Sequence, residues 1–316
     1  MDSEPVLFAL EGSRDFGEAV ASNLDIPLAQ YEHRDFGDGE HKARPLESVR
    51  GRDVYVLHTL FGDDQFSVND KLLRLLFFIA TLRDAGAAQV TALLPYLAYA
   101  RKDRRTKDYD PVTTRYVGQL FEAMGVDCVV TLEVHNRAAF DNAFRCRTLH
   151  LEAHGLFVDE IRQEIGHQPV VIVSPDAGGT KRADRFRDAW VDRTGDQPTT
   201  AFLEKRRSEG EVTGEAVVGD MEDRVAIIVD DLVAGGTTLL RAVDACRRKG
   251  ASEVYGVITH GLFGAGSEKL YDSDSLSRLL VTDSVRPQMQ ARDSGQVTQV
   301  SVAGLFADAV RQLRGG

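Results

Sequence analysis

The chain has 316 residues, 43% of them hydrophobic and 28% charged, a balance typical of globular proteins with about two domains. Its net charge of −11 disfavours nucleic acid and anionic membranes as partners, so phosphorylated substrates would need a local concentration of basic residues. The three cysteines form no Cys-x-x-Cys pair, which argues against a disulfide scaffold and a cysteine zinc site. The acidic start and the absence of an apolar run long enough for a span predict a cytoplasmic protein.

Short apolar runs alternate along the chain with helical patterns. Several runs are continuously apolar rather than alternating, which is typical of parallel strands buried on both faces. Helical segments such as Asp70–Ala85 and Thr238–Lys249 are each followed by glycine, a C-terminal capping signal. This alternation predicts an α/β fold with doubly wound, mainly parallel sheets flanked by helices. The predicted strands are Val54–Leu57, Val90–Leu94, Cys128–Thr131, Val170–Val173, Val225–Val229 and Val254–Ile258.

The two halves of the chain share a local pattern. Leu82–Val90 and Cys246–Val254 each contain a helix end, a Gly-Ala or similar turn and the start of a strand. The separation of the two segments is close to half the chain length, so we expect a duplicated domain. The predicted domains are residues 1–152 and 153–316, with a last helix at about 303–316 that packs back on the first domain.

A strand followed by a polar, glycine-containing block occurs twice in the second half. In the first block, Val173-Ser-Pro-Asp-Ala-Gly-Gly-Thr-Lys-Arg182, Asp176 precedes a turn small enough for a diphosphate to approach the backbone. Asp176 is therefore a candidate for holding Mg²⁺ or a ribose hydroxyl.

The second block, Val225-Ala-Ile-Ile-Val-Asp-Asp-Leu-Val-Ala-Gly-Gly-Thr-Thr238, is the strongest signal in the chain. The carboxylates of Asp230 and Asp231 can accept hydrogen bonds from sugar hydroxyls. The turn at the start of the next helix can surround a phosphate with N–H and hydroxyl donors. One ligand that carries both groups is a ribose 5-phosphate. The alternative is a charged loop in which Thr237 or Thr238 only caps the helix.

The second block resembles the ribose-phosphate signature of the type I phosphoribosyltransferase fold. Over nearly its whole length the chain resembles the ribose-phosphate diphosphokinase, or phosphoribosyl diphosphate synthetase, family. The matching stretches are Phe36–Glu40, Ser48–Tyr55, Tyr99–Arg105, Thr131–His135, the Ser174–Gly179 block, Glu204–Arg207 and Val229–Asp231.

This resemblance implies transfer of the β,γ-diphosphoryl group of ATP to the C1 hydroxyl of ribose 5-phosphate, with Mg²⁺ and a homo-oligomer, a hexamer or a dimer. The resemblance also assigns binding roles to the residues of this chain that match the family's motifs. ATP would be bound by Phe36, Asp38, Gly39, Glu40, Arg101 and Lys102. The metal would lie at His135 and Asp176. Ribose 5-phosphate would be bound by Arg207, Asp230, Asp231, Ala234, Gly235, Gly236, Thr237 and Thr238.

Lys205 and Arg207 are the expected catalytic residues. They precede a polar stretch, Ser208–Gly214, that we predict to be a mobile loop. In phosphoryl-type transfer the protein mainly positions the groups and supplies charge where negative charge develops. A lysine and an arginine on a closing loop are suited to that role.

Four features depart from the family pattern. Ala234 stands where a third acid is usual, Glu133 replaces an aspartate, and Lys102 replaces a glutamine. The segment Asn136–Phe144 and the end of the chain also differ from the regions that build the regulatory site of the regulated class.

These departures leave two alternatives open. One is a catalytically impaired homologue that modulates a true synthetase. The other is an enzyme with a changed donor or acceptor, or a phosphoribosyltransferase.

Overall fold

The central strands form where valine and isoleucine follow one another. In Val170–Ser174, for example, all five residues are buried, as expected for a strand covered on both faces. The computed structural model describes residues 4–208, 211–286 and 295–315, and within these ranges it describes the side chains of all residues except 205–208 and 211–216. None of the helices described there combines the length and apolarity that crossing a bilayer requires.

The chain forms two units, residues 1–151 with 302–316, and residues 152–301. The elements of the first unit are β1 (Val6–Ala9), α1 (Arg14–Leu24), β2 (Tyr31–Asp35), β3 (His41–Pro45), β4 (Asp53–Leu57), α2 (Val68–Asp84), β5 (Gln89–Leu94), α3 (Thr113–Ala123), β6 (Cys128–Leu132), α4 (Arg137–Ala143) and β7 (Arg147–Leu151). Those of the second unit are α5 (His154–Ile165), β8 (Val170–Ser174), α6 (Thr180–Thr194), β9 (Thr199–Ser208), β10 (Glu211–Val218), β11 (Val225–Val233), α7 (Thr237–Arg248), β12 (Glu253–Gly261), α8 (Glu268–Tyr271), β13 (Arg278–Thr282) and β14 (Val297–Val300). The last helix, α9 (Ala303–Arg314), belongs to the first unit.

The first unit is built on a parallel sheet of five strands in the order β1-β4-β5-β6-β7. The hairpin β2–β3 forms a separate antiparallel sheet. Apolar residues of the sheet and of α2, such as Phe8, Val56 and Phe78, form its core. Helix α9 packs on α1, where the rings of Phe16 and Phe306 meet edge to face with centroids 5.6 Å apart.

The second unit has a sheet of seven strands in the order β10-β9-β8-β11-β12-β13-β14. All neighbours are parallel except the antiparallel pair β9–β10. The chain winds in one direction from β8 to β10 and in the other from β11 to β14, so the direction changes between β8 and β11. In open α/β sheets such a change leaves a crevice at the carboxyl ends of the two strands, which is where ligands bind.

The predicted α/β architecture, with mainly parallel sheets and flanking helices, is confirmed, and so are the positions of the six predicted strands. The glycines after two helices also behave as predicted. Gly86 and Gly250 have φ angles of +89° and +87°, in the left-handed region that ends helices at low cost.

One strand is longer than its apolar run predicts. We expected it to end at Val229, but β11 continues to Val233 because its backbone stays paired with β12 as far as Val233 and Gly261. Asp230 and Asp231 therefore belong to the strand rather than to the loop after it. Side-chain polarity does not end a strand whose backbone hydrogen bonds have partners.

The prediction of a loop over Ser208–Gly214 was wrong for the part that the structure describes. Residues up to Ser208 lie in β9 and residues from Glu211 lie in β10. The two strands pair antiparallel, with Lys205 opposite Glu215, Arg207 opposite Val212, and an irregularity between Val212 and Gly214. Backbone pairing accounts for a strand in a segment whose polar composition favoured a loop.

Candidate active site

The turn after β8 presents Asp176 at the carboxyl end of the second unit's sheet. Its Oδ1 accepts a hydrogen bond from the backbone N–H of Gly179 at 3.0 Å, and the Ser174 hydroxyl donates to its carbonyl oxygen at 2.6 Å. A Cβ at Gly179 would lie 2.6 Å from the Ser174 hydroxyl oxygen, so only glycine allows this close turn. Oδ2 of Asp176 makes no hydrogen bond to any described residue and can serve a ligand.

The adjacent carboxylates of β11 converge on one arginine that the sequence analysis did not assign to the site. The guanidinium of Arg182 donates to Asp230 at 2.8 Å and lies 3.2 Å from Oδ1 of Asp231. Arg182 and Asp231 are buried, whereas the Asp230 side chain is 28% exposed. Arg182 lies in the first turn of α6, directly after the Asp176 turn, so the two blocks found in the sequence are joined by this contact.

Two adjacent acids at the end of an apolar strand require a nearby cation. This requirement was the sequence signal that could have identified Arg182. Burial and the negative charge of Asp231 raise the pKa of Asp230 to about 7, and the Arg182 guanidinium opposes that rise. Two adjacent carboxylates, one buried and one partly buried, would be costly to leave ionised without a cation. The pair is therefore a polar site prepared for hydroxyl donors or for a further positive charge.

The turn between β11 and α7 contains the predicted phosphate-binding residues. Gly236 precedes the helix with a φ of +76°, and a Cβ there would lie 2.6 Å from the side chain of Leu270. Thr237 and Thr238 are exposed in the first turn of α7, and no described side chain caps this helix. The N–H groups that a helix leaves unpaired at its start are thus available to an anion.

These groups lie around the point where the sheet changes its winding direction. Val173 of β8 pairs with Ile228 of β11, so Ser174 and Val229 are level in the sheet. Asp176 follows one strand end, Asp230 is near the other, and the Ala234–Thr238 turn continues from β11. The second unit therefore presents acceptors for hydroxyls and donors for a phosphate at the position where this type of sheet binds ligands.

Phe36–Glu40 forms the turn of the β2–β3 hairpin. The Phe36 N–H donates to the Glu40 carbonyl at 2.8 Å, and the Asp38 carboxylate accepts from the Glu40 N–H at 3.1 Å. The Phe36 ring is 38% exposed and has the Arg34 guanidinium 5.2 Å from its centroid. Gly39 has a φ of +92°, which the turn requires. The structure thus presents an aromatic face and two carboxylates at the tip of a hairpin.

The basic cluster that follows β5 is an ordered loop. Lys102 donates to Asp110 at 2.8 Å, and Thr106 and the Lys107 N–H bind the same carboxylate. These donors hold the pKa of Asp110 well below its usual range. Arg101 makes no ion pair with any described residue and is exposed. Asp110 was not predicted, because its position eight residues after Lys102 gave no local signal in the sequence.

An open concavity adjoins this loop. It has a volume of about 580 Å³ and is lined by Arg105, Thr106, Lys107, Asp108 and Tyr109. Three of these residues carry charged side chains, two of them positive. The first unit therefore has a basic recess that could accept a phosphate chain.

His135 lies after β6 in the same unit and is exposed. The next residue, Asn136, donates from its side chain to Asp103 at 2.7 Å, which ties the His135 segment to the basic loop. Glu133, which replaces the family's aspartate, is buried and has a φ of +28°. The structure thus brings the predicted metal-associated histidine and the predicted ATP clamp into one local assembly within the first unit.

The described residues offer few ligands for the predicted metal. Among the described residues no group of three or more histidine, cysteine, aspartate or glutamate side chains forms a ready-made metal site. Mg²⁺ nevertheless commonly retains several waters and uses one or two carboxylates together with substrate phosphates. Asp176, with one oxygen that has no described partner, fits that mode of binding. The predicted catalytic pair, Lys205 and Arg207, lies in β9, and its side chains lie outside the described part of the structure.

Known proteins resemble the chain over nearly its whole length. Residues 5–125 match the model of the N-terminal domain of ribose phosphate pyrophosphokinase, and residues 198–316 match the phosphoribosyl synthetase-associated domain. The chain is 31% identical to the ribose-phosphate pyrophosphokinase of Hyphomonas neptunium and 32% identical to that of Agrobacterium fabrum, in both cases over 97% of this chain and 96% of the relative. The crystal structure of phosphoribosylpyrophosphate synthetase from Mycobacterium smegmatis superposes with a TM-score of 0.88 and 29% identity, covering 98% of this chain and 99% of that chain. A fold and a sequence that match over nearly the full length of these enzymes show that the chain belongs to the ribose-phosphate pyrophosphokinase family.

Proposed function

We propose that the protein transfers a diphosphoryl group from ATP to the C1 hydroxyl of ribose 5-phosphate and releases AMP and 5-phospho-α-D-ribose 1-diphosphate for nucleotide biosynthesis. The observation that carries the proposal is the crevice of the second unit, where Asp176, the Asp230–Asp231 pair and the Ala234–Thr238 turn lie at neighbouring strand ends. Membership of the pyrophosphokinase family supports the same reaction.

In this proposal ribose 5-phosphate binds through two kinds of group. Its hydroxyls donate to Asp230 and Asp231, which Arg182 holds in place. Its 5-phosphate is bound by the N–H groups and hydroxyls of Ala234, Gly235, Gly236, Thr237 and Thr238. The helix start contributes a partial positive charge that favours the phosphate.

ATP is assigned to the first predicted domain, residues 1–152, and ribose 5-phosphate to the second, residues 153–316. The exposed ring of Phe36 offers a stacking surface for adenine, and Asp38, Gly39 and Glu40 offer acceptors and backbone at the same turn. Arg101 provides a guanidinium for the phosphates. Lys102 contributes its charge while it remains paired with Asp110.

In the reaction the C1 oxygen of the ribose attacks the β-phosphorus of ATP. The bond between that phosphorus and the oxygen shared with the α-phosphate breaks, AMP leaves with the bonding electrons, and the C1 hydroxyl proton is released. Lys205 and Arg207 stabilise the negative charge that develops, and Arg207 also contacts the sugar phosphate. Asp176 and His135 are the residues proposed, each within its own unit, to hold Mg²⁺, which when bound would neutralise the charge of the diphosphate.

The direct test is an assay of AMP formation from ATP, ribose 5-phosphate and Mg²⁺, with EDTA and the omission of each substrate as controls. We expect AMP and phosphoribosyl diphosphate in equal amounts. Formation of neither product under these conditions, by a folded protein, would contradict the proposal and favour the modulating homologue. Consumption of phosphoribosyl diphosphate together with a nucleobase would favour a phosphoribosyltransferase.

We also propose that the protein acts in the cytoplasm as a homo-oligomer, a hexamer or a dimer, because the resemblance to the family implies an assembly. Light scattering coupled to size-exclusion chromatography would measure the subunit number. A monomer at working concentration would contradict this part of the proposal.

A further inference from the structure

The hairpin that carries the proposed adenine-binding turn depends on helix α2 for its position. Strands β2 and β3 form a two-stranded sheet of their own and pair with no other strand in the described part of the chain. A hairpin of two strands is only marginally stable by itself, so its position depends on what it packs against. Here β3 packs along α2, and contacts with this helix therefore determine where the Phe36–Glu40 turn lies.

Apolar packing fixes only the end of the hairpin that is far from the turn. The Tyr31 ring, at the start of β2, lies 5.3 Å from that of Phe78, a buried core residue of α2. Toward the turn the strand becomes polar, and His33, Arg34 and Asp35 are all exposed. The residues next to the turn therefore need another kind of contact to be held in place.

One arginine of α2 reaches the end of β2 that precedes the turn. Arg74 donates to Oδ1 of Asp35 at 2.5 Å, and Asp35 is the residue directly before Phe36. The Arg74 side chain is only 16% exposed, and its guanidinium lies 4.2 Å from the centroid of the Phe66 ring. This cation–π contact orders the guanidinium, so the ion pair loses less side-chain entropy than an ordinary surface pair.

The opposite strand of the hairpin is held by the same helix. His41 is paired with Asp35 across the hairpin and directly follows Glu40, the last residue of the turn. Its ring stacks on that of Phe77, with centroids 5.7 Å apart and an angle of 20° between the planes. Phe77 lies three residues after Arg74, so the two contacts come from one face of α2. The two strands are therefore anchored on α2 at the point where the turn begins and ends.

We propose that Arg74 is a positioning residue for the nucleotide, which acts through Asp35 to hold the Phe36–Glu40 turn in place. The inference rests on the function proposed above, in which this turn binds the adenine of ATP. A hairpin that moves freely must be ordered when ATP binds, and that ordering weakens the affinity. The chemical step takes place at other residues. Loss of the contact should therefore raise the KM for ATP and leave kcat unchanged.

Two variants break the contact from opposite sides, Arg74→Gln and Asp35→Asn. Each should raise the KM for ATP about fivefold, the upper range for an ion pair with an exposed partner, and leave the KM for ribose 5-phosphate unchanged. The double variant should be no worse than either single variant, because both substitutions remove the same interaction. The matched control is Arg44→Gln, which breaks an exposed pair with Glu32 in the same hairpin and should keep the wild-type KM for ATP.

A second measurement does not depend on catalysis. The backbone amides of Phe36 and Gly39 donate hydrogen bonds within the turn, so their hydrogen exchange reports how firmly the turn is held. Their exchange should be faster in Arg74→Gln and in Asp35→Asn than in the wild type, and unchanged in Arg44→Gln. Since Asp35 is exposed, Asp35→Asn keeps the test available should Arg74→Gln fail to fold.

Three results would overturn the inference. They are unchanged exchange in the folded variants, faster exchange with an unchanged KM for ATP, and an equal rise in the KM values for ATP and ribose 5-phosphate. A wild-type protein that binds no ATP would instead contradict the function proposed above. The exchange rates would still show in that case whether Arg74 holds the turn, so the two failures are distinguishable.

Discussion

At the scale of single residues, the contact between Arg182 and the two carboxylates of β11 organises the candidate site. Arg182 reaches both Asp230 and Asp231, so each acid has a cationic partner although they are neighbours in the chain. The arrangement keeps an acceptor pair at the end of a buried strand, where carboxylates alone would tend to be protonated. Removal of Arg182 would leave buried negative charge uncompensated, which is costly.

The raised pKa of Asp230 predicts a pH-dependent stability. The folded form binds this proton more tightly than the unfolded chain does, because burial and Asp231 raise the pKa from 3.8 to about 7. The stabilising contribution is complete below about pH 4 and is lost as the pH rises through about 7. We expect the free energy of unfolding in urea to fall across that window in the wild type. Asp230→Asn should flatten the profile, whereas Asp244→Asn, at an exposed position, should not.

A second prediction concerns the role of Asp230 toward substrate. If its carboxylate accepts from ribose hydroxyls, Asp230→Asn should weaken ribose 5-phosphate binding by about 1.5–3 kcal/mol, the range for a hydrogen bond to a charged group. ATP binding should change much less, because ATP is assigned to other residues. Isothermal titration with each substrate measures both affinities. An equal loss for ATP and ribose 5-phosphate would point to a metal or structural role instead.

A third prediction concerns Lys205. Lys205→Ala should lower kcat by about 10²–10³, since the loss of one positioned transition-state donor costs roughly 3–4 kcal/mol. The fold should be retained, as judged by circular dichroism. Lys249→Ala, which removes an exposed lysine at the end of α7, is the matched control and should keep the wild-type kcat. A Lys205→Ala enzyme with near wild-type kcat would exclude Lys205 from the mechanism.

At the scale of elements, the turn from β11 to α7 is the feature with the tightest steric requirement. Gly236 has a positive φ, and its side-chain direction is blocked by Leu270. Gly236→Ala should lower the free energy of unfolding by more than about 1 kcal/mol, because alanine disfavours this backbone conformation. It should also raise the KM for ribose 5-phosphate more than that for ATP, because the turn is displaced.

Gly304→Ala is the control for that prediction. Gly304 lies in α9 without a positive φ, and a Cβ there would approach only Asn23, at 3.7 Å. This variant should leave both KM values unchanged. If Gly236→Ala did not raise the KM for ribose 5-phosphate more than the KM for ATP, the turn would not be the phosphate-binding element.

Helix α4 lies in the segment that departs from the regulated class of the family. Phe140 is buried in the core of the first unit, where its ring lies 5.1 Å from that of Phe144. An apolar ring packed in this way offers no donor to a phosphate or nucleotide. The structure thus gives a packing role to residues that replace the polar pattern of that class.

At the scale of the whole molecule, this departure predicts the mode of regulation. We expect activity without added phosphate, and inhibition by ADP that is competitive with ATP rather than allosteric. Initial rates measured against ATP at several ADP concentrations, with and without phosphate, test both points. A strict requirement for phosphate, or ADP inhibition that persists at saturating ATP, would mean that a regulatory site is built from other residues.

The two units repeat one strand order. The parallel strands β1-β4-β5-β6-β7 correspond to β8-β11-β12-β13-β14, and an antiparallel hairpin follows the first strand and helix in each unit. The chemistry at equivalent strand ends differs. In the first unit Ser13 is hydrogen-bonded to buried His58 at 3.0 Å, and the buried Lys71 amine is paired with Asp63 at 2.6 Å. Polar groups that satisfy one another there leave less capacity for a ligand than the acids of the second unit.

Features that depend on neighbouring residues were predicted from the order of amino acids. Continuous valine and isoleucine runs predicted the buried strands, and glycines after Ala85 and Lys249 predicted the helix ends. The acid pair and the glycine–threonine turn predicted a sugar-phosphate site, and the matching motifs predicted the family. Each of these signals is short-range, because hydrophobic period, backbone conformation and turn chemistry are set within a few residues.

The fold of the chain determines which groups distant in sequence come into contact. It paired Arg182 with Asp230 across 48 positions and Asn136 with Asp103 across 33. In the fold, β11 also extends beyond Asp230 and Asp231, and the polar segment around Lys205 is a strand. Both follow because backbone hydrogen bonding to a neighbouring strand does not depend on side-chain polarity. Such contacts form when helices and strands pack against one another. The residue pattern of one segment therefore does not identify the side chains from other segments that will contact it.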